Sequence, residues 1–150
     1  MEKITVKFPD GYSSTFSKST TLFQIVKSID DGSGKDYIAG KVNEKLVDMS
    51  FPLLEDADLE FITPDSEMGL DIIRHSASHV MAQAVKKLYK GVKITIGPTI
   101  DNGFYYDFDY EENFSPQDIA GIESKMQEII DHDLPITRRE LPREEAIEIF

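Results

Sequence analysis

The strongest constraint in this sequence is a change of apolar period inside its first 63 residues. Ile4-Thr5-Val6-Lys7-Phe8 alternates apolar and polar side chains, the two-residue repeat of a strand with one buried face. Pro9-Asp10-Gly11 supplies turn chemistry, and Tyr12 to Phe16 is the expected return strand of a hairpin. Thr21 is placed to cap a helix in which Leu22, Ile25, Val26 and Ile29 recur at helical spacing, and Asp31-Gly32-Ser33-Gly34 is its expected end. The pattern then returns to short strands at Ile38 to Val42, Lys45 to Val47 and Leu59 to Ile62. Two hairpins, one crossing helix and a closing strand predict a small ubiquitin-like β-grasp module.

The pattern changes again at Thr63-Pro64-Asp65-Ser66. Leu70 to Tyr89 reads as a long helix, with Ile72, Ile73, Val80, Met81, Ala84, Val85 and Leu88 as its apolar positions and Gly91 closing it. Val92 to Ile96 and Phe104 to Tyr110 are expected to pair as strands around the turn Asp101-Asn102-Gly103. Ser115, Pro116 and Asp118 are the N-cap, first-turn proline and capping-box acid of a further helix, with Ile119, Ile122, Met126, Ile129 and Ile130 on its apolar face. Ile136 to Leu141 is an expected strand, and Pro142-Arg143-Glu144-Glu145 opens a last helix still running at Phe150. The expected fold class is α+β: the β-grasp module over residues 1–63, then an incomplete helix-and-antiparallel-sheet domain over residues 64–150. The unfinished helix leads us to expect a chain cut from a longer protein.

Composition narrows the function. The 150 residues contain no cysteine, which excludes a thiolate nucleophile and a Cys-based zinc site. No apolar run approaches the ~20 residues that span a bilayer, so no membrane partner and a cytoplasmic location are expected. A net charge of -12 argues against a protein that grips nucleic acid over its whole surface. Any phosphate contacts would come from Lys86, Lys87, Lys90 and Lys93, or from Arg138, Arg139 and Arg143.

The sharpest chemical feature is Arg74-His75-Ser76-Ala77-Ser78-His79. Residues four apart share a helix face, so His75 and His79 can present two imidazoles to one small ligand. They could hold a metal, hydrogen-bond a substrate, position a water or simply be packed. Ser76 stands where a zinc protease would carry its general-base Glu, and a third ligand would have to be His132, a carboxylate or water. In Ile96-Gly97-Pro98 and Phe104-Tyr105-Tyr106-Asp107-Phe108, alternation sends Phe104, Tyr106 and Phe108 to one face. Most of these rings suit core packing; a tyrosine hydroxyl at a cleft wall would suit recognition of a small polar group, with Gly97 letting a ligand approach the backbone.

Gly69-Leu70-Asp71-Ile72-Ile73-Arg74-His75-Ser76-Ala77-Ser78-His79 followed by Ile96-Gly97-Pro98-Thr99-Ile100-Asp101-Asn102-Gly103-Phe104-Tyr105-Tyr106-Asp107 resembles the amino-terminal region of the bacterial threonyl-tRNA synthetase family. Residues 1–63, with Pro9-Asp10-Gly11 and Ile38-Ala39-Gly40-Lys41-Val42-Asn43, resemble that family's TGS module. The resemblance implies a class II synthetase whose full-length form uses ATP to ligate threonine to tRNA(Thr) and whose second domain hydrolyses mischarged seryl-tRNA(Thr). A pocket separates substrates one methyl apart by only ~10 to 200-fold, which makes a second site necessary.

By the same resemblance His75 and His79 are the catalytic residues of the editing site, and Gly97 and Tyr106 bind the 3′-terminal seryl-adenosine. It implies no metal in this segment. ATP, Mg and zinc are expected in an absent catalytic domain, and the full-length enzyme is expected to be a homodimer through absent domains. The family's editing domain has a downstream C-x-x-x-H motif that this chain lacks, so the segment alone is expected to be inactive. Two alternatives stand beside this reading: a free-standing TGS-containing RNA-binding module without chemistry, and an alanyl-type zinc-dependent trans-editing hydrolase. The missing cysteine speaks against the second, and the unfinished helix against the first.

Overall fold

A computed structural model describes residues 2–29, 36–136 and 138–149. The chain divides into two compact units, Met1–Ser76 with Thr99–Phe104, and Ala77–Pro98 with Tyr105–Phe150.

In the first unit, β1 (Lys3–Lys7) pairs antiparallel with β2 (Ser13–Ser17), Ile4 opposite Phe16 and Val6 opposite Ser14. Gly11 sits in the intervening turn at φ 86°, a left-handed conformation that glycine adopts without penalty. Helix α1 (Leu22–Ser28) starts at a reciprocal capping box: the Thr21 hydroxyl accepts the Gln24 N–H, and the Gln24 side chain accepts the Thr21 N–H. The expected end of this helix at Asp31-Gly32-Ser33-Gly34 lies outside the described residues.

Strands β3 (Ala39–Val42) and β4 (Lys45–Val47) form a hairpin around Asn43 and Glu44, both at positive φ, the conformation of a tight primed turn. Asn43 pins that turn to β5 (Ala57–Ile62): its amide donates to the Asp58 carbonyl at 3.0 Å and its side-chain oxygen accepts the Asp58 N–H at 2.9 Å. The sheet order is β2-β1-β5-β3-β4, with β1 and β5 parallel at its centre. One α-helix packed on such a mixed sheet is the β-grasp arrangement expected from the sequence. Its core is Ile4, Val6, Leu22, Ile25, Val42, Leu53, Ala57 and Leu59.

Helix α2 (Glu67–Leu88) begins three residues earlier than the apolar pattern suggests. The Ser66 hydroxyl accepts the Gly69 N–H at 3.0 Å and donates to the Thr63 carbonyl at 2.7 Å, so polar capping rather than apolar spacing sets the start. Past its end, Gly91 takes φ 83° and turns the chain. The expected continuous hairpin is instead two short pairs, β6 (Lys93–Ile94) with β9 (Phe108–Asp109) and β7 (Thr99–Ile100) with β8 (Gly103–Phe104). Pro98 has no N–H to donate, and Gly97 is pressed by a ring, so the ladder breaks there. Three backbone bonds still bridge the gap in the second unit, Asp107 N–H to the Ile96 carbonyl at 2.8 Å, Thr95 N–H to the Asp107 carbonyl at 3.2 Å and Tyr105 N–H to the Pro98 carbonyl at 3.4 Å.

Helix α3 (Pro116–Asp131) carries the expected capping box at Ser115 and Asp118. Ile122 is buried, with Met126 and Ile129 packed beside it, but Ile119 and Ile130 are exposed, contrary to expectation. At 100° per residue they lie about 60° and 80° round the helix from Ile122, off the edge of the buried stripe. On α2 the same correction applies to Ile73 and Leu88, both exposed. Residues 136 and 138–141 form no strand: Ile136 is 93% exposed, and the run has no neighbouring strand to pair with among the described residues. Helix α4 (Arg143–Ile149) follows and buries none of its side chains; Phe150 lies outside the described residues.

Two glycines distinguish packing from propensity. A Cβ on Gly69 would fall 1.9 Å from the Thr63 carbonyl oxygen, whereas one on Gly121, inside α3, would meet nothing within 4 Å. Gly69→Ala is expected to destabilise the protein by about 1–3 kcal/mol, and Gly121→Ala to stabilise it by about 0.5–1 kcal/mol. Urea unfolding of both variants checks the contrast, and equal effects would contradict it.

Candidate functional site

The catalytic candidates His75 and His79 both stand exposed on α2, one turn apart on the same face. Ser78 beside them is 1% exposed, the most deeply buried polar side chain of the helix. Among the described residues no buried side-chain nitrogen or oxygen lacks a hydrogen-bond partner. The spacing from His75 and His79 to this small polar residue was the available signal for Ser78, and sequence reasoning passed over it.

The other two candidates meet directly. Gly97 and Tyr106 are both half-buried, and a Cβ on Gly97 would lie 2.0 Å from Cδ2 and 2.3 Å from Cε2 of the Tyr106 ring. The close approach that glycine permits here is therefore made by Tyr106. The ring also stacks on Phe108 at 5.0 Å between centroids and an interplanar angle of 18°. Phe108 in turn meets Phe114 edge-on at 5.9 Å, and Phe114 meets Tyr89 edge-on at 5.2 Å. The expected alternation holds: Phe104, Tyr106 and Phe108 are half-buried, while Tyr105, Asp107 and Asp109 are exposed.

The line of rings ends on a polar clasp that the sequence reading found only in half. Asp118 accepts hydrogen bonds from the Ser115 hydroxyl at 2.6 Å, the Ser115 N–H at 2.7 Å and, at its other oxygen, the Tyr89 hydroxyl at 2.9 Å. The Ser115 hydroxyl, the Ser115 amide and the Tyr89 hydroxyl together hold the Asp118 carboxyl below its ordinary value. Burial first, then the bond to Asp118, pushes the Tyr89 phenol above its ordinary value. The clasp ties the chain just after α2 to the start of α3.

His132, the remaining candidate metal ligand, is engaged at the end of α3, its Nδ1 2.5 Å from the Glu128 carbonyl. Among the described residues no group of three or more His, Asp or Glu side chains is arranged to hold a metal ion. No described helix is long and apolar enough to cross a membrane. Of the basic candidates, Arg138 pairs with Glu140, and Lys93 pairs with Asp109 at 2.9 Å, which holds its ammonium above the ordinary value. Exposed imidazoles can orient a small polar group or a water, and Gly97 lets the Tyr106 ring close on the backbone.

Residues 4–63 match the TGS domain family. Over 149 residues, 99% of its length, the chain is 48% identical to the threonine–tRNA ligase of Geobacillus sp. (strain WCH70). It is 47% identical over 150 residues to the ligase of Staphylococcus carnosus (strain TM300), and 46% identical over 147 residues to that of Janthinobacterium sp. (strain Marseille). In each case the match covers 23% of the relative, so the chain spans about a quarter of the length of these ligases.

Two measurements check this geometry. For Asp118, whose folded pKa is lowered, the stability it contributes is present above the ordinary carboxylate value near 3.8 and lost as pH falls through the folded value. For Tyr89, whose folded pKa is raised, the contribution is present below the ordinary value near 10.0 and lost as pH rises through the folded value. The fall in Tm below about pH 4 is therefore expected to be shallower in Asp118→Asn than in the parent; superimposable profiles would contradict the clasp. Gly97→Ala is expected to shift the Tyr106 ring signals in the NMR spectrum and to destabilise by about 1–3 kcal/mol. An unshifted ring would show that Gly97 does not seat it.

Proposed function

Starting from a chain that carries a TGS domain and resembles, along essentially its whole length, the amino-terminal region of bacterial threonyl-tRNA synthetases, we propose that it is the corresponding part of a threonine–tRNA ligase. The single observation that carries this reading is the extent of the likeness, 45–48% identity across 98–100% of the chain in ligases of three genera. The TGS domain occupies residues 1–63, and residues 64–150 begin the editing domain. ATP-dependent ligation, with its ATP, Mg and zinc, and the homodimer contacts belong to the remaining three quarters of such a ligase, in the cytoplasm.

The chemistry assigned to this segment is hydrolysis of the seryl ester on tRNA(Thr). An ordered water attacks the ester carbonyl; its oxygen bonds to the acyl carbon, the bond to the terminal ribose oxygen breaks, and the water's proton ends on that oxygen. Serine and uncharged tRNA(Thr) leave. His75 and His79 hold the water and the terminal ribose, and Tyr106, seated on Gly97, contacts the seryl-adenosine. The support for these roles is the exposure of both imidazoles on one helix face and the rigid seating of the tyrosine. A methyl group is too small for one pocket to reject reliably, which is the physical need for this second step.

The test exchanges this chain for the matching quarter of the Geobacillus ligase and measures release of serine and threonine from their tRNA(Thr) esters. The exchanged enzyme is expected to hydrolyse the seryl ester selectively, and His75→Ala or His79→Ala to lower that rate by about 100-fold or more. Hydrolysis unaffected by either substitution would overturn the assignment of the histidines. Tight tRNA binding with no ester hydrolysis would favour the binding-module reading.

A further inference from the structure

The face of α2 that carries His79 does not end at the imidazole. Seven residues on, two turns along the helix and within about 20° of the same line, stands Lys86, with Gln83 between them. His79, Gln83 and Lys86 are all exposed, and Lys90 is exposed just past the helix end. Neighbouring lysines are committed elsewhere. Lys93 pairs with Asp109 at 2.9 Å, Lys125 pairs with Glu128 at 2.7 Å, and Lys125 and Lys87 both help to hold the Glu128 carboxyl low. Among the described residues Lys86 and Lys90 make no ion pair.

We infer that Lys86 and Lys90 are phosphate contacts for the RNA strand whose esterified 3′ end lies at His79, so that the strand runs along α2 toward its carboxyl end. The inference rests on the editing reading above. From His79 to Lys86 the helix rises about 10 Å, the length of about three stacked nucleotides at roughly 3.4 Å each. A protein of net charge -12 repels a polyanion, so approach to the histidines requires local positive charge that is not neutralised by a neighbouring carboxylate. Lysine near a helix C-terminus also offsets the helix dipole. That role needs no alignment with His79 and makes a different prediction, a loss of helix stability without any change in salt dependence.

The experiment titrates this chain with uncharged tRNA(Thr) by fluorescence anisotropy across a range of KCl concentrations. The Lys86→Ala/Lys90→Ala double variant is expected to bind several-fold more weakly at low salt, with the slope of log Kd against log salt shallower by about 1.4, from roughly 0.7 per single-strand phosphate contact. Lys86→Arg/Lys90→Arg keeps the charge and is expected to keep the slope, and Lys45→Ala, on the β-grasp sheet, to leave it unchanged. An unchanged slope in the double alanine variant, or no measurable binding by the parent chain at about 50 mM salt, overturns the inference. The readout is independent of hydrolysis. A shallower slope beside hydrolysis that ignores His79 sinks the editing reading alone, and an unchanged slope beside His79-dependent hydrolysis sinks the lysine assignment alone.

Discussion

The second unit depends on a helix side narrow enough for rings to reach it. Ala84 and Val85 are fully buried on α2, and around them, with Val92 and Ile122, pack Met81, Tyr89, Phe108, Tyr110, Phe114, Met126 and Ile129. A larger residue at position 84 would push the aromatic layer outward and lengthen every contact downstream of it. Through Phe114 and Phe108 that layer fixes the plane of Tyr106, and Tyr106 fills the space a side chain at position 97 would need. Tyr106 is therefore positioned by packing from the core outward, which is how a site on a short irregular ribbon acquires rigidity.

The Tyr89–Asp118–Ser115 clasp supports the same layer from the polar side. Capping a helix with a carboxylate satisfies backbone N–H groups that would otherwise be unpaired. Here the carboxylate also receives a phenol whose ring sits edge-on to Phe114. Tyr89 thus belongs to the apolar layer through its ring and to the helix cap through its hydroxyl. In the first unit the equivalent economy is at Asn43, which makes the turn between β3 and β4 and fastens it to β5.

The elements governed by local chemistry were legible in the sequence. The hairpin at Pro9-Asp10-Gly11, the helix cap at Thr21, the capping box at Ser115 and the β-grasp module all follow from turn residues, side-chain caps and apolar period. What depends on distant partners was not. Residues 136 and 138–141 form no strand and have no partner strand among the described residues; Ile119 and Ile130 have the right residue type and the wrong angle; Ser66 starts α2 through a hydroxyl that apolar spacing does not register. At the site, the histidine pair was visible from its spacing and Gly97 from its residue type. The contact between Gly97 and Tyr106, and the Tyr89 arm of the clasp, join residues 9 and 29 positions apart and need the fold to appear.

The proposed editing role assigns the exposed His75 and His79 to a water and the terminal ribose, and Tyr106 to the seryl-adenosine. Its most direct test is a 1H–15N NMR titration of this chain with a hydrolysis-resistant seryl-adenosine in which an amide replaces the 3′ ester. The account predicts shifts concentrated at His75, His79, Gly97 and Tyr106, and weaker shifts with the threonyl analogue. Shifts confined to residues 4–63, or equal shifts with adenosine alone, would contradict it.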